Sequence, residues 1–144
     1  MKILVINGPN LNMLGIREPE KYGNTTFAEL EKELYAYSFE LNVDIESFQN
    51  NSEGAIIDKI QQALGNFDGI VINPGAYAHT SIAIRDAIAS VNISTVEVHM
   101  TNIHAREEFR QNSYITPVCI GQISGFGTNV YKLGLRALCE HLNK

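Results

Sequence analysis

Apolar residues follow two spacings that alternate along this chain from one end to the other. Short continuous runs rich in Ile, Val and Leu predict buried strands. These strands are expected at residues 2–6, 43–48, 69–72, 94–98 and 118–124. Between them, apolar residues three and four apart predict amphipathic helices. The helices are expected at about 27–41, at about 53–64, from after Thr80 to about 91, and at about 129–142.

Two of these helices carry recognisable start signals. Thr26 followed by Glu29 forms a capping box, the pairing of side chains and backbone that opens many helices. Thr80 is the N-cap candidate for the third helix. Leu30 and Leu34 lie on the apolar stripe of the first helix, which is the face that we expect to pack on the sheet.

The alternation predicts five strand-then-helix units in a single domain, residues 1–144. Parallel strands with right-handed crossovers follow from this order. We expect a flavodoxin-like three-layer α/β/α sandwich with a five-stranded parallel sheet of order 2-1-3-4-5. In such a fold, ligands bind outside the carboxyl ends of the strands, where strands one and three part.

Composition and charge narrow the possible partners. Hydrophobic residues make up 44% of the 144 residues, charged residues make up 19%, and the net charge is -5. This balance argues against nucleic acid and anionic membranes as partners, and no apolar run approaches membrane-spanning length. The chain enters its first strand at once, so we expect no signal peptide. We therefore expect a cytoplasmic protein with Cys119 and Cys139 reduced.

Three arginines stand apart from the acidic background. Arg17, Arg106 and Arg110 fall in predicted loops, where local positive charge suits a small anionic ligand. Solvated loop charges are the alternative. Arg17 belongs to the segment 7–25, which is long for a strand–helix connection. That segment is either a lid over the ligand edge or a surface excursion.

The strongest chemical signal lies at the end of the fourth predicted strand. Strand side chains alternate, so Glu97 and His99 share one face. A carboxylate beside a histidine raises its pKa and fixes its tautomer, which is how a general acid is built. A solvated pair at a strand end is the alternative. His99 and His104 lack any regular metal-ligand spacing, so we expect no metal.

Three loops are predicted to meet at the carboxyl edge of the sheet: residues 7–12, 73–81 and 99–110. Four motifs in this region closely resemble type II 3-dehydroquinate dehydratases. They are residues 7–11 (Asn-Gly-Pro-Asn-Leu), residues 17–23 (Arg-Glu-Pro-Glu-Lys-Tyr-Gly), residues 73–81, and residues 97–99 with 104–110. The match covers essentially the whole chain. Ala78 and Thr101 depart from it, since the family often has Thr and Ser at these positions.

This resemblance implies reversible anti elimination of water from 3-dehydroquinate to give 3-dehydroshikimate, through an enolate, in the shikimate pathway of aromatic amino acid biosynthesis. It implies no cofactor, no metal and no Schiff base. It also implies a homo-oligomer of trimers assembled into a dodecamer. A non-catalytic sensor that binds a cyclitol acid at the same edge is the competing hypothesis.

The resemblance also implies roles for catalytic residues. Tyr22 would remove the proton next to the ketone, and Arg17 would favour the ionised form of Tyr22. His99, supported by Glu97, would protonate the leaving hydroxyl. Asn10 would hold a water that steadies the enolate oxygen.

Further residues would bind the substrate. Asn73, together with the backbone at Met100 and Thr101, would hold the region that bears the carboxylate. Ring hydroxyls would be held by His79, by Arg110 and by Asp86 of a neighbouring subunit. The resemblance adds Gly75 and Arg106 to the substrate-binding positions, with Arg106 in a supporting role.

Overall fold

The computed structural model describes residues 1–144 and contains one parallel sheet of strand order β2-β1-β3-β4-β5. This is the predicted flavodoxin-like order. The strands are β1 (Lys2–Asn7), β2 (Asp44–Gln49), β3 (Gly69–Asn73), β4 (Thr95–His99) and β5 (Gly121–Ser124). The first four keep their predicted positions to within one residue at each end.

Helices cover both faces of this sheet. They are α1 (Pro19–Tyr22), α2 (Phe27–Glu40), α3 (Glu53–Gln62), α4 (Ile82–Val91) and α5 (Asn129–Leu142). Ile3 and Val5 of β1 share a core with α2 and α5. Leu4 and Ile6, which point the other way along the same strand, share a core with α3 and α4. The predicted three-layer sandwich is confirmed. No helix combines the length and the apolar character that a membrane crossing requires.

The predicted Thr26 cap of α2 is confirmed, whereas the cap of α4 lies one residue later than predicted. The Thr26 hydroxyl accepts a hydrogen bond from the Glu29 N–H at 3.2 Å. Helix α4 is capped by Ser81, whose hydroxyl accepts from the Ile84 N–H at 2.9 Å. The predicted cap, Thr80, is wrong by one residue, because Thr80 terminates the 3₁₀ turn that precedes the helix.

The connection from β4 to β5 contradicts the expected fourth strand-then-helix unit. It contains three 3₁₀ turns, Ile103–Ala105, Glu108–Gln111 and Thr116–Val118, and no α-helix. Strand β5 begins at Gly121, later than predicted, and Cys119 lies before it. The last 3₁₀ turn explains this delay, because the N–H groups of Val118 and Cys119 donate to the carbonyls of Ile115 and Thr116 and not to β4.

Candidate active site

The last residues of β1, β3 and β4 are Asn7, Asn73 and His99, and all three are buried. Their loops line a cavity that opens to solvent and is enclosed on its other sides by polar and apolar side chains. Eleven of the thirteen predicted site residues line the cavity: Asn10, Arg17, Tyr22, Asn73, Gly75, His79, His99, Met100, Thr101, Arg106 and Arg110.

The two remaining predicted residues lie outside the cavity wall. Glu97 is fully buried behind His99. Asp86 is exposed on α4 and does not line its own cavity. A role for Asp86 in the site of a neighbouring subunit stays a prediction.

Glu97 and His99 form a buried pair. The His99 Nε2 faces a Glu97 carboxylate oxygen in a short hydrogen bond, and the exposed fractions of the two residues are 6% and 0%. This burial rules out a solvated pair at a strand end. Because Nε2 is engaged, Nδ1 is the ring nitrogen of His99 that is left for a ligand.

The Glu97 carboxylate is ionised by its surroundings. Burial alone would raise the pKa of Glu97, but hydrogen bonds and the charge of His99 outweigh this effect and lower that pKa below its ordinary value of 4.5. The other donors are the hydroxyls of Ser113 at 3.0 Å and Thr116 at 2.7 Å. The Gln122 side-chain N–H adds a longer contact of 3.3 Å.

Sequence reasoning missed Ser113, Thr116 and Gln122. No motif marks them, and two lie in the β4–β5 connection, which has no α-helix. One signal was present, because Gln122 is directly opposite Glu97 in the β4–β5 register. Aligning the two predicted strands would have placed a polar side chain beside a buried carboxylate.

Tyr22 lies between two arginines. Arg106 Nη1 donates a hydrogen bond to the Tyr22 hydroxyl oxygen at 2.8 Å. The guanidinium carbons of Arg17 and Arg106 are 5.0 and 5.4 Å from the centre of the tyrosine ring. Arg106 therefore contacts Tyr22 directly, whereas the motif resemblance implied only a supporting role for it.

The segment that carries Tyr22 forms one wall of the cavity. Tyr22 ends the single-turn helix α1, whose flanking residues Glu18 and Gly23 have φ angles of 38° and 77°. Such positive values are costly for a residue with a side chain such as Glu18. Lys21 and Arg17 both approach the Glu18 carboxylate, at 3.4 and 3.7 Å. The segment for which a lid and a surface excursion were the alternatives therefore contains a folded element that places Tyr22 in the cavity wall.

His79 presents an acceptor to the cavity. Its Nδ1 lies 2.9 Å from the Asn112 carbonyl oxygen, so Nδ1 must carry the proton. Burial lowers the pKa of His79 below its ordinary value of 6.5, and the charges of His99 and Arg110 act in the same direction. The neutral ring stacks near His99 with 6.1 Å between centroids. Its Nε2 can accept a hydrogen bond from a ligand hydroxyl.

A buried network supports the floor of the cavity. The Tyr131 hydroxyl of α5 donates to Asn7 Oδ1 at 2.5 Å and accepts from Asn73 Nδ2 at 2.9 Å. Asn73 Oδ1 accepts from the Gly75 N–H at 3.1 Å. These contacts fix the orientation of the Asn73 amide and leave its second N–H for a ligand.

Gly8 allows the loop after β1 and the loop after β3 to touch. A Cβ atom at this position would lie 2.4 Å from the Pro74 carbonyl oxygen. The Gly8 N–H donates to the Asn73 carbonyl at 2.8 Å. Any side chain at this position would separate the loops that carry Asn10 and Gly75.

The fold and this site define an α/β protein with a ligand pocket at the switch point of its sheet, lined by Tyr22 and by the carboxylate-backed His99. The family model described as Dehydroquinase class II matches residues 1–139, and the chain belongs to this family. The chain is 59% identical to the 3-dehydroquinate dehydratase of Geotalea daltonii, with 100% of both chains covered.

Two solved structures have the same fold. The type II dehydroquinase from Butyrivibrio crossotus has a TM-score of 0.95 and 55% identity, over 96% of this chain and 97% of that one. The type II dehydroquinase from Propionibacterium acnes has a TM-score of 0.92 and 43% identity, over 99% and 97%. The predicted family is therefore confirmed.

Proposed function

We propose that this protein is a hydro-lyase that converts 3-dehydroquinate to 3-dehydroshikimate in the shikimate pathway, by reversible anti elimination through an enolate. One observation supports this most strongly: a tyrosine between two guanidinium groups and a carboxylate-backed histidine line the same cavity. A base and an acid in one site are what elimination of water requires. A sensor that only bound the ligand would need neither.

Tyr22 is the proposed base. Ionising a free tyrosine at pH 7 costs about 4 kcal/mol. Arg106 donates a hydrogen bond to the Tyr22 hydroxyl oxygen, and the Arg17 guanidinium lies 5.0 Å from the ring centre, so two cations flank the position of the proposed phenolate. The phenolate takes the proton next to the ketone, and the electron pair of that C–H bond moves into the enolate. A water held by Asn10 is proposed to hydrogen-bond to the enolate oxygen.

His99 is the proposed acid. In the second step the enolate electrons re-form the ketone, the new carbon–carbon double bond forms, and the bond to the leaving hydroxyl breaks. The Nδ1 proton of the His99 imidazolium goes to that hydroxyl, which leaves as water. The Glu97 carboxylate stabilises the positive charge on His99 until the proton has moved.

The substrate is an anionic ring with several hydroxyls, and the lining matches it. The Asn73 amide, Gly75 and the backbone at Met100 and Thr101 are proposed to bind the region with the carboxylate. The lone pair on His79 Nε2 and the guanidinium of Arg110 are proposed to bind ring hydroxyls. Arg110 also pairs with Glu107 at the cavity edge.

We further propose that residues 1–144 act as a single catalytic domain in the cytoplasm and assemble into trimers and then a dodecamer. Asp86, exposed one turn from the exposed Ile82 on α4, is the proposed contribution to a neighbouring site.

Adding 3-dehydroquinate to the purified protein tests the reaction. We expect the ultraviolet absorbance of the conjugated enone product to appear without added metal or cofactor. Binding of 3-dehydroquinate without any enone would contradict the enzyme and favour the sensor. Loss of activity on chelation, restored by a divalent ion, would contradict a metal-independent mechanism.

Mixed oligomers test the role of Asp86. Tyr22→Phe and Asp86→Ala subunits should each be nearly inactive alone. After co-refolding, roughly a quarter of the sites should combine an intact Tyr22 with a neighbour's intact Asp86, so activity should reappear. No recovery despite confirmed mixing would place Asp86 in the site of its own subunit.

A further inference from the structure

The hydroxyl groups around Glu97 have only one way to arrange their protons. Ser113 Oγ accepts from the backbone N–H groups of Ile115 at 3.1 Å and Thr116 at 3.3 Å. Its lone pairs are therefore occupied, and its single proton is directed to Glu97, 3.0 Å from each carboxylate oxygen. This arrangement needs an acceptor at Glu97 and therefore favours the ionised carboxylate.

The hydroxyl of Thr116 also has its proton directed to Glu97. Its Oγ1 accepts from the Gln122 side-chain N–H at 2.9 Å, so its proton is directed to Glu97 Oε1 at 2.7 Å. Gln122 is itself oriented, because its Oε1 accepts from the Ser124 hydroxyl at 2.9 Å. A chain of donors thus runs from Ser124 through Gln122 and Thr116 to the carboxylate.

The other groups near Glu97 do not compete for this role. Burial, together with the charge of Glu97, raises the pKa of the Cys119 thiol to about 12, so this thiol stays neutral. His79 makes no hydrogen bond to the pair; its ring stacks on His99. The hydrogen bond from His99 is therefore the one contact of Glu97 in which the proton can sit on either partner.

The position of that proton decides whether His99 is an acid. With the proton on Nε2 and Glu97 ionised, a doubly protonated His99 is an imidazolium that can release its Nδ1 proton. If the proton moves to Glu97, the Nε2–H bond breaks, an O–H bond forms, and His99 becomes a neutral imidazole. A neutral imidazole holds its remaining N–H proton far more tightly. The strength of the donors to Glu97 therefore controls the acid.

We propose that Thr116, oriented by Gln122, is a positioning residue that keeps the proton of the Glu97–His99 hydrogen bond on His99. The consequence for catalysis rests on the proposed dehydration. The proton position itself does not, because it is a property of the protein without substrate. Thr116 touches no part of the cavity.

Thr116→Val and Thr116→Ser form a matched pair for the test. Valine keeps the shape and removes the hydroxyl, whereas serine keeps the hydroxyl and removes a methyl group. We expect Thr116→Val to lower kcat for dehydration by roughly tenfold to a hundredfold, the range for a hydrogen bond to a charged group. KM should change by less than about twofold, because no substrate contact is lost. Thr116→Ser should retain near-normal kcat.

Nitrogen NMR of histidine-labelled protein supplies a readout that needs no turnover. The His99 signals are assigned by their loss in His99→Ala. The one-bond coupling between nitrogen and hydrogen then shows whether Nε2 holds a proton. We expect a full coupling at Nε2 in the wild type and in Thr116→Ser, and a reduced coupling in Thr116→Val. If the wild type failed to dehydrate 3-dehydroquinate, the proposed function would fall while this measurement still decided the role of Thr116.

Gln122→Met provides a second test in case Thr116→Val does not fold. It removes the donor that orients Thr116, and we expect the same changes in kcat and in the Nε2 coupling at smaller amplitude. An unchanged Nε2 coupling in the folded valine variant, or in Gln122→Met if valine does not fold, would overturn the proposal. So would equal losses of kcat in the valine and serine variants, since these would point to packing.

Discussion

His99 ends a buried strand and is held by a buried carboxylate, whereas Tyr22 ends a one-turn helix and is held by two arginine side chains. The donors to Glu97 come from the β4–β5 connection and from β5, and they leave His99 with one geometry. The one-turn helix that carries Tyr22 has no buried residue. The proposed acid is therefore positioned when the sheet and the β4–β5 connection fold, whereas the position of the proposed base depends on where one short segment lies.

The largest expected effect is on the base. Tyr22→Phe removes the proton acceptor and keeps the ring between Arg17 and Arg106. We expect kcat to fall by at least about 10³-fold, near the upper range for a general base. Binding of a substrate-like anion, measured by calorimetry, should stay largely intact. Near-normal turnover in this variant would rule out Tyr22 as the base.

A smaller loss of activity is expected when the proposed acid, His99, is removed. His99→Ala should lower dehydration by roughly 10²- to 10³-fold. Exchange of the substrate's alpha proton with deuterated water should survive better, because Tyr22 still removes that proton. Mass spectrometry of recovered substrate measures the exchange. Equal losses of exchange and dehydration would show that His99 does not act mainly on the second step.

The two arginines beside Tyr22 should differ. An opposite charge nearby changes the ionised fraction of a group by roughly tenfold to a thousandfold. Arg106→Ala removes both the charge and the hydrogen bond at 2.8 Å, so it should lower kcat more than Arg17→Ala. Steady-state kinetics of the two variants, with Arg106→Lys as a charge-only control, measure the difference. A greater loss in Arg17→Ala would reverse the assignment of the main partner.

The smallest effect concerns stability at acid pH. The pKa of Glu97 is lowered from 4.5 in the folded protein. As the pH falls below 4.5, Glu97 becomes protonated in the unfolded chain while it stays ionised in the folded protein. Glu97 therefore contributes less to the free energy of unfolding. Urea denaturation above and below pH 4.5 should show the gap between wild type and Glu97→Gln narrowing with acid. A constant gap would mean that Glu97 does not titrate below its ordinary range.

The sheet was predictable because its determinants are local. Continuous apolar runs such as residues 69–72 mark buried parallel strands, and the alternation of units restricts their order. The shared face of Glu97 and His99 follows from the same alternation. The cap of α4 was missed by one residue because a 3₁₀ turn absorbs Thr80, and nothing in the local pattern distinguishes Thr80 from Ser81.

The parts of the site that sequence reasoning missed are contacts between distant residues. Arg106 and Tyr22 are 84 positions apart, and Tyr131 and Asn7 are 124 apart. Such pairs have no signature in either segment. Motif resemblance placed Arg106 in the site without its partner, and it gave no sign of Thr116 or Tyr131. These contacts depend on how the 3₁₀ turns and the last helix pack, which periodicity does not determine.

The phenol of Tyr131 has a consequence for the order in which the protein is made. Asn7 and Asn73 leave the ribosome early, yet the hydroxyl that orients their amides belongs to the final helix. That helix docks closely on the sheet, since a Cβ atom at Gly134 would lie 2.7 Å from a Val98 methyl carbon. A nascent chain that ends before α5 therefore has the strands of the site without the orientation of its amides. The orientation of these amides is therefore completed only after translation has supplied the last helix.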